Sequence, residues 1–502
     1  MNRSAFHTFI YAVFAVVLSL FSSPVMMGQA THIDQIPIPP LPKFDPQEPV
    51  RVALPNGMVV FLQPDPELPL ISGFARIRGG SRAEPAEKTG MIDIFGSVWR
   101  TGGSKARTGD QLDEFLESRA ASVETGSSSD SISISFDCLK QDFEPVFAAF
   151  LELMREPAFR EDKIDLVKRQ MYTSISRRND DIGSIAGREA VKLAYGPDNP
   201  YARETEYATV AAVTQQDLLD WHRRYVHPNN MIFGISGDFN AAQMEARLRQ
   251  AFGSLPRAQI PAEPKIEFRP SKPATYFAPK EDVNQSSVQF VTLGIERKNP
   301  DYFAVTVMNE IFGGGFSSRL FSNIRSKLGL AYSVGGGVGS AWDHPGMARI
   351  SMGTRSESTY EAIQALYKEL DNLLQLPITD AELKLAKDSI LNSFIFNFDS
   401  KDKVLLERMQ YEFYGVPPNY LEQYRAAIEK VTAQDVKRVA TKYVRPKEFA
   451  LLVVGAPDPV REELKPLEPI QTIDITIPPP PDEPSEAPAG RPSPSGGQAR
   501  GE

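Results

Sequence analysis

Two patterns recur in this chain at one register. Val213-Thr214-Gln215-Gln216-Asp217 returns as Val431-Thr432-Ala433-Gln434-Asp435, and Tyr225-Val226-His227-Pro228 returns as Tyr443-Val444-Arg445-Pro446, each 218 residues later. Tyr195-Gly196 and Tyr414-Gly415 agree with that offset to within one residue. Two matches at one spacing mark a tandem duplication. This constrains the fold more than any other feature: the unit of roughly 200 residues that the first half forms, the second half forms again. The length of 502 residues independently exceeds what one hydrophobic core serves.

Each unit mixes strands and helices, which predicts an α+β fold with two homologous domains. In the first unit, residues 50–62 (VRVALPNGMVVFL) read as strand, Pro-Asn-Gly turn, strand, and residues 70–77 as a further strand. Residues 122–138 alternate with Ile132, Ile134 and Phe136 on one face. Helices are predicted at 109–120, 141–155, 160–178 and 214–225. The second unit predicts strands at 287–294 and 349–354, and helices at 302–312, 358–374 and 379–398. The domains are placed at 50–255 and 275–457. A Pro-rich linker at 256–274 separates them, a Pro-rich connector at 31–49 precedes them, and a Pro-rich tail at 458–502 with almost nothing to bury follows.

The N-terminus has Arg3, an apolar run from Phe9 to Phe21, and Gly28-Gln29-Ala30. That is the grammar of a signal peptide over 1–30 cut after Ala30, the run being short for a membrane span. Cys138 is the only cysteine, so no intramolecular disulfide can form. An exported protein folded on core burial alone suits a bacterial periplasm. The net charge of -9, without a long basic run, argues against nucleic acid. Gly313-Gly314-Gly315 and Gly335-Gly336-Gly337 are not followed by Gly-Lys-Ser/Thr, so they predict no nucleotide site. They read as a helix stop and a turn where backbones pass closely.

One stretch carries the functional question: Gly90 to Gly103, GMIDIFGSVWRTGG. Met91, Ile92, Ile94, Phe95 and Val98 form the apolar face of a buried helix, and Gly102-Gly103 stops it. Before it come LPNG and GGSR; the half ends in YVHPNN, a strand and Gly-Asp. In this order the chain, over residues 50–457, resembles the insulinase/pitrilysin family of inverted-motif zinc metallopeptidases. The form is the short two-repeat one seen in processing-peptidase subunits and bacterial periplasmic relatives. The resemblance implies two mainly antiparallel sheets packed with helices, closing as clamshell halves around a peptide.

In active members the helix carries H-x-x-E-H. Two His one turn apart bind zinc, the Glu between them is the general base, and a distal Glu completes the site. Aligned from Gly90, these positions fall on Asp93, Gly96 and Ser97, with the distal Glu on or near Ser174. None is retained: Gly96 has no side chain to act as a base, and Ser97 is a poor zinc ligand. Besides His7, the histidines are His32, His222, His227 and His344, with no pair at helical spacing. His222 and His227 read as a helix-end surface residue and a loop residue, and Trp99 as core filler. The expectation is a first half without catalytic zinc.

The second half departs less. FGGGFSSRLFSNIRSKLGLAYSV, Phe312 to Val334, places Arg325 and Tyr332 seven apart, as the family does across the cleft from its zinc. The resemblance implies that Tyr332 donates to the developing oxyanion and Arg325 holds substrate carbonyls or a carboxylate. The plain alternative is a solvated helix arginine and a strand tyrosine. The expectation is therefore a subunit that binds no cofactor itself. It would supply Arg325 and Tyr332 to a homologous partner carrying H-x-x-E-H and zinc, in a composite endopeptidase acting on peptides or unfolded segments. The rival is a non-catalytic peptide-binding or scaffold protein of the same fold.

Overall fold

The computed structural model describes residues 46–480. The signal-peptide assignment, most of the connector and the last part of the tail lie outside the described residues. Among the described residues fourteen strands are formed: β1 (Val50–Ala53), β2 (Val59–Pro64), β3 (Leu70–Arg78), β4 (Ser122–Ser127), β5 (Ser131–Leu139) and β6 (Met231–Gly237) in the first half, then β7 (Thr275–Pro279), β8 (Gln285–Leu293), β9 (Ile295–Glu296), β10 (Ser333–Val338), β11 (Ser340–Ala341), β12 (Met347–Arg355), β13 (Ala450–Gly455) and β14 (Ile470–Thr472). In β3 and β12, side chains alternate between buried and half-exposed, so each sheet has one face on a core and one more open face.

Each half builds a mixed six-stranded sheet. The orders are β1-β2-β6-β3-β5-β4 and β10-β12-β8-β13-β7-β14. Read from the free edge, β4, β5, β3, β6 and β2 correspond to β10, β12, β8, β13 and β7. Most pairings are antiparallel, with β2–β6 and β13–β7 parallel in both halves. The duplicated sequence patterns explain themselves here. Thr214 and Thr432 each cap a helix, accepting from the backbone N–H of Asp217 and Asp435, while those carboxylates accept from the threonines' own N–H groups. Pro228 and Pro446 each open the short turn that leads into β6 and β13.

The halves differ at the outer strand. β1 precedes β2 and runs antiparallel to it, whereas β14 comes from the C-terminal segment and runs parallel to β7. This corrects the expectation that 458–502 has nothing to bury. A helix forms at Pro457–Leu464, with Val460 and Leu464 buried, and β14 follows. Ile473 and Ile475 then pack beside the second sheet, and Ile477 against the first-half core. The Pro-rich composition masked an alternating run, Ile473-Asp474-Ile475-Thr476-Ile477, with the period of an extended segment.

Two helices that the sequence reading did not assign hold the halves together. Ile182–Tyr195, from the first half, lies on β8 and β13 of the second sheet, burying Ile185, Ala186, Ala190 and Leu193 against Tyr276, Val291 and Leu452. Lys401–Tyr414, from the second half, lies on β2 and β6 of the first, through Leu405 and Met409 against Phe61. Gly234 permits this approach, because a Cβ there would lie 2.3 Å from the Met409 sulfur. At about 1.5–3 kcal/mol for each fully buried large aliphatic side chain, the exchange joins the halves firmly. The 256–274 segment has almost no regular structure but is not free: Arg269 N–H donates to Tyr195 O and Ser271 N–H to Leu193 O.

Candidate functional site

The helix Met91–Thr101 begins at Gly90, whose φ of 96° only glycine adopts without strain. Glu84 reaches its first turn, its two carboxylate oxygens accepting from the N–H groups of Gly90 (3.0 Å) and Ile92 (2.9 Å). Burial pushes that carboxyl up to about 7 even so. Met91, Ile92, Ile94, Phe95, Val98 and Trp99 all enter the core, and Trp99 Nε1 donates to Leu153 O at 2.9 Å. Trp99 is core filler, as expected.

The outer face of this helix carries the three degenerate positions. Asp93 and Ser97 are exposed, and Gly96 is pressed against β4. A Cβ on Gly96 would lie 2.9 Å from Ser127 Oγ and 3.0 Å from the Gly126 carbonyl carbon. Thr125 Oγ1 donates to Gly96 O at 2.6 Å, and Ser127 Oγ to Asp93 Oδ1 at 3.2 Å. Although Asp93 keeps surface exposure, the protein around its carboxyl strips enough water to hold it above the ordinary aspartate range. Ser97 donates to its own helix at Asp93 O, 2.9 Å. Ser174 lies on the helix Glu161–Ser176, which packs on Met91–Thr101, and donates to Gln170 O at 3.1 Å. The two helices that carry the four positions named by the resemblance therefore pack together. Those positions hold one carboxylate, two hydroxyls committed to helix carbonyls, and a glycine whose space the edge strand has taken. Among the described residues no group of three or more His, Cys, Asp or Glu could hold a metal ion. These residues do not fit zinc.

His222 differs from its expected surface position. It is buried edge-on to Trp99 and Phe159, with Nε2 2.8 Å from Met154 O. Burial depresses its pKa to about 4, so the imidazole is neutral at ordinary pH. Its role is packing.

The second half repeats the geometry with different chemistry. Tyr302–Phe312 packs on the edge strand β10, as Met91–Thr101 does on β4. The two Gly-rich runs meet where that helix ends: Gly336 N–H donates to Gly313 O at 3.2 Å, and a Cβ on Gly313 would lie 2.4 Å from Gly336 O. Arg325 sits in a widened helical turn, Phe321–Lys327, where Leu328 N–H reaches back five residues to Asn323 O. Tyr332 directly precedes β10, and its N–H donates to Gly353 O at 3.1 Å. The structure brings the two residues together. The guanidinium lies 4.5 Å from the Phe321 ring centroid and 5.7 Å from that of Tyr332. Tyr332 is 81% exposed and Phe316, edge-on to Phe321, is 80% exposed. No hydrogen bond or ring contact links this pair to Asp93, Ser97 or Ser174 among the described residues.

Between the halves lies a charged cluster that the sequence reading missed, although it quoted GGSR. Buried Arg82 pairs with Glu263 of the linker segment (2.7 Å) and Asp343 of the second half, and donates to Tyr201 OH at 3.1 Å. Against the effect of burial, the hydrogen bond with His344, whose Nδ1 is 2.8 Å away, and then the bond from Arg82 hold the Asp343 carboxyl well below the usual range. A buried arginine with two carboxylates joins three parts of the chain distant in sequence, which no local pattern announces.

Comparison with known proteins agrees with this architecture. Residues 74–195 match the family described as insulinase (peptidase family M16), and residues 212–390 match the peptidase M16 inactive domain. The chain is similar to a non-peptidase homolog, YmxG, of Helicobacter pylori, with 23% identity over 76% of this chain and 89% of that one. It is also similar to an uncharacterized zinc protease of Mycobacterium leprae, with 24% identity over 81% of this chain and 91% of that one. A crystal structure of a peptidase M16 inactive domain from Pseudomonas fluorescens superposes with a TM-score of 0.72 at 25% identity, covering 82% of this chain and 99% of that one. A duplicated sheet-and-helix unit, matched by the two family models over 74–195 and 212–390 and without the zinc ligands on the helix Met91–Thr101, has one consistent reading: the chain belongs to the insulinase (M16) peptidase family, as a member that lacks the family's zinc site.

Proposed function

We propose that this chain is the zinc-free subunit of an exported, periplasmic heterodimeric metallo-endopeptidase. The single observation that carries the reading is the pairing of Arg325 with an exposed Tyr332 at the edge of the second sheet. The partner is a homologous subunit bearing H-x-x-E-H and zinc. The substrate is a peptide or unfolded segment, added as a strand to a free sheet edge of that subunit. Tyr332 Oη donates to the carbonyl oxygen as it gains charge, and Arg325 holds a neighbouring carbonyl or carboxylate through its fork of N–H donors.

The test is turnover of the purified pair. Tyr332→Phe removes one oxyanion donor and is expected to lower kcat on the order of 100- to 1,000-fold. Arg325→Ala is expected to cut turnover strongly as well, and both variants should still assemble. Wild-type rates from both would overturn the assignment. A second reading draws on the designation of the Helicobacter relative as a non-peptidase homolog. It makes the chain a peptide-holding or scaffold protein, monomeric or homodimeric, zinc-free and inactive in every combination.

A further inference from the structure

A cavity of about 660 Å³ opens between the two halves, in the size range of small-ligand sites. Arg78 and Arg82 line it, and Arg76 lies behind the wall on Tyr414. Arg76 is satisfied by Asp130 (3.2 Å), Ser131 and Tyr414. Arg82 takes both Glu263 and Asp343. The other acids of the cavity wall are also engaged, Glu412 with Arg51 and Glu296 with Lys298. Arg78 is the exception. Its guanidinium lies 4.1 Å over the Phe413 ring and donates to Phe413 O; among the described residues no carboxylate lies within salt-bridge distance, and Glu263 is the acid that acts on it most strongly from farther away. It is half-buried, and burial holds its pKa below the ordinary arginine range. Tyr201, His344 and Phe268 form an aromatic part of the same lining. Tyr201 stacks on His344 at 4.1 Å and 16°, and Phe268 lies parallel to His344 at 6.0 Å.

We infer that this cavity binds the free carboxyl terminus of a peptide, with the carboxylate on the Arg78 guanidinium and the last side chain against the Tyr201–His344–Phe268 wall. A terminal residue carries its carboxylate and an apolar group on one carbon, which is the combination the lining presents a place for. Asp343 and Glu263 face the same space. They disfavour phosphate and dicarboxylates and leave room for one negative charge where a bidentate fork can take it. The site belongs to this chain alone and needs neither a partner subunit nor zinc, so its failure would leave the proposed peptidase role untouched.

The experiment is calorimetric titration of the full-length chain with N-acetyl-Ala-Ala-Phe, its C-terminal amide, and N-acetyl-Ala-Glu-Ala amide. The free acid is expected to bind 10- to 100-fold more tightly than either amide, as about 1.5–3 kcal/mol for a charge-assisted hydrogen bond implies. Arg78→Met should erase that difference. Arg78→Lys, which keeps the charge without the fork, should retain only part of it and carries the test should the methionine variant fail to fold. Equal binding of acid and amide, or no binding of the acid, overturns the proposal. Equal binding of the internal-Glu peptide overturns its assignment to a chain terminus.

Discussion

Gly96→Ala tests whether the general-base position of the zinc helix is vacant or closed. In an exposed helix interior this change would stabilise by about 1 kcal/mol, because alanine loses less backbone freedom on folding. Here the new methyl group would sit 2.9 Å from Ser127 Oγ and 3.0 Å from both Ser127 Cβ and the Gly126 carbonyl carbon. Ser127 cannot turn away freely, since its hydroxyl donates to Asp93, and Thr125 ties the Gly96 carbonyl to the same strand. Overpacking of this kind costs about 1–3 kcal/mol. The clash therefore outweighs the propensity gain, and the variant should lose about 1 kcal/mol in urea unfolding with an unchanged m-value. Gly96→Glu, the substitution that would restore the family's base, should lose more, since a longer side chain must leave by the same blocked route. A gain of about 1 kcal/mol for Gly96→Ala would show that the helix is not held against β4 and refute the reasoning.

Three further outcomes are expected. His222 titrates at about 4 in the folded chain against an ordinary value near 6.5, so the stability it contributes is present above pH 6.5 and lost as pH falls through 4. That amounts to about 3 kcal/mol, and His222→Gln should flatten the slope of unfolding free energy over that window. Glu84 works in the opposite sense: with its carboxyl raised to about 7, it favours the folded state below pH 4.5 and loses that contribution, about 3 kcal/mol, as pH rises through 7, a pH dependence that Glu84→Gln should abolish. Ending the chain at Glu468 strips β14 and the three isoleucines that follow. Because these are only partly buried, the loss should be about 3 kcal/mol by thermal or chemical unfolding, where an unpacked tail would give none.

The repeat made the fold legible because the recurring residues do local work. Thr214 with Asp217 and Thr432 with Asp435 are capping boxes, and a capping box is confined to four successive residues. The alternation in β3, β5 and β12 was likewise readable, since each strand has one face on a core. What escaped the sequence depends on partners far along the chain. The helix Ile182–Tyr195 presents small and medium apolar residues to strands of the other half, β8 and the far more distant β13 near the end of the second domain, so its face completes no core of its own half. The isoleucines at 473, 475 and 477 were hidden by neighbouring prolines. At the site, the loss of zinc ligands could be read position by position from Asp93, Gly96, Ser97 and Ser174. That β4 fills the space beside Gly96 could not, because it rests on a packing distance. Nor could the pairing around the central cavity, where Arg76 and Arg82 bond the nearby acids and Arg78, among the described residues, has no carboxylate within salt-bridge distance.

The proposed pairing with a zinc-bearing homologue is tested by affinity capture of the tagged chain from its own cells, with co-eluting chains identified and quantified by mass spectrometry. A stoichiometric partner of similar size carrying H-x-x-E-H is expected. The pair should hold one zinc and cleave peptides, while this chain alone holds none. Recovery of this chain by itself, or of a pair whose turnover survives Arg325→Ala and Tyr332→Phe together, would contradict it.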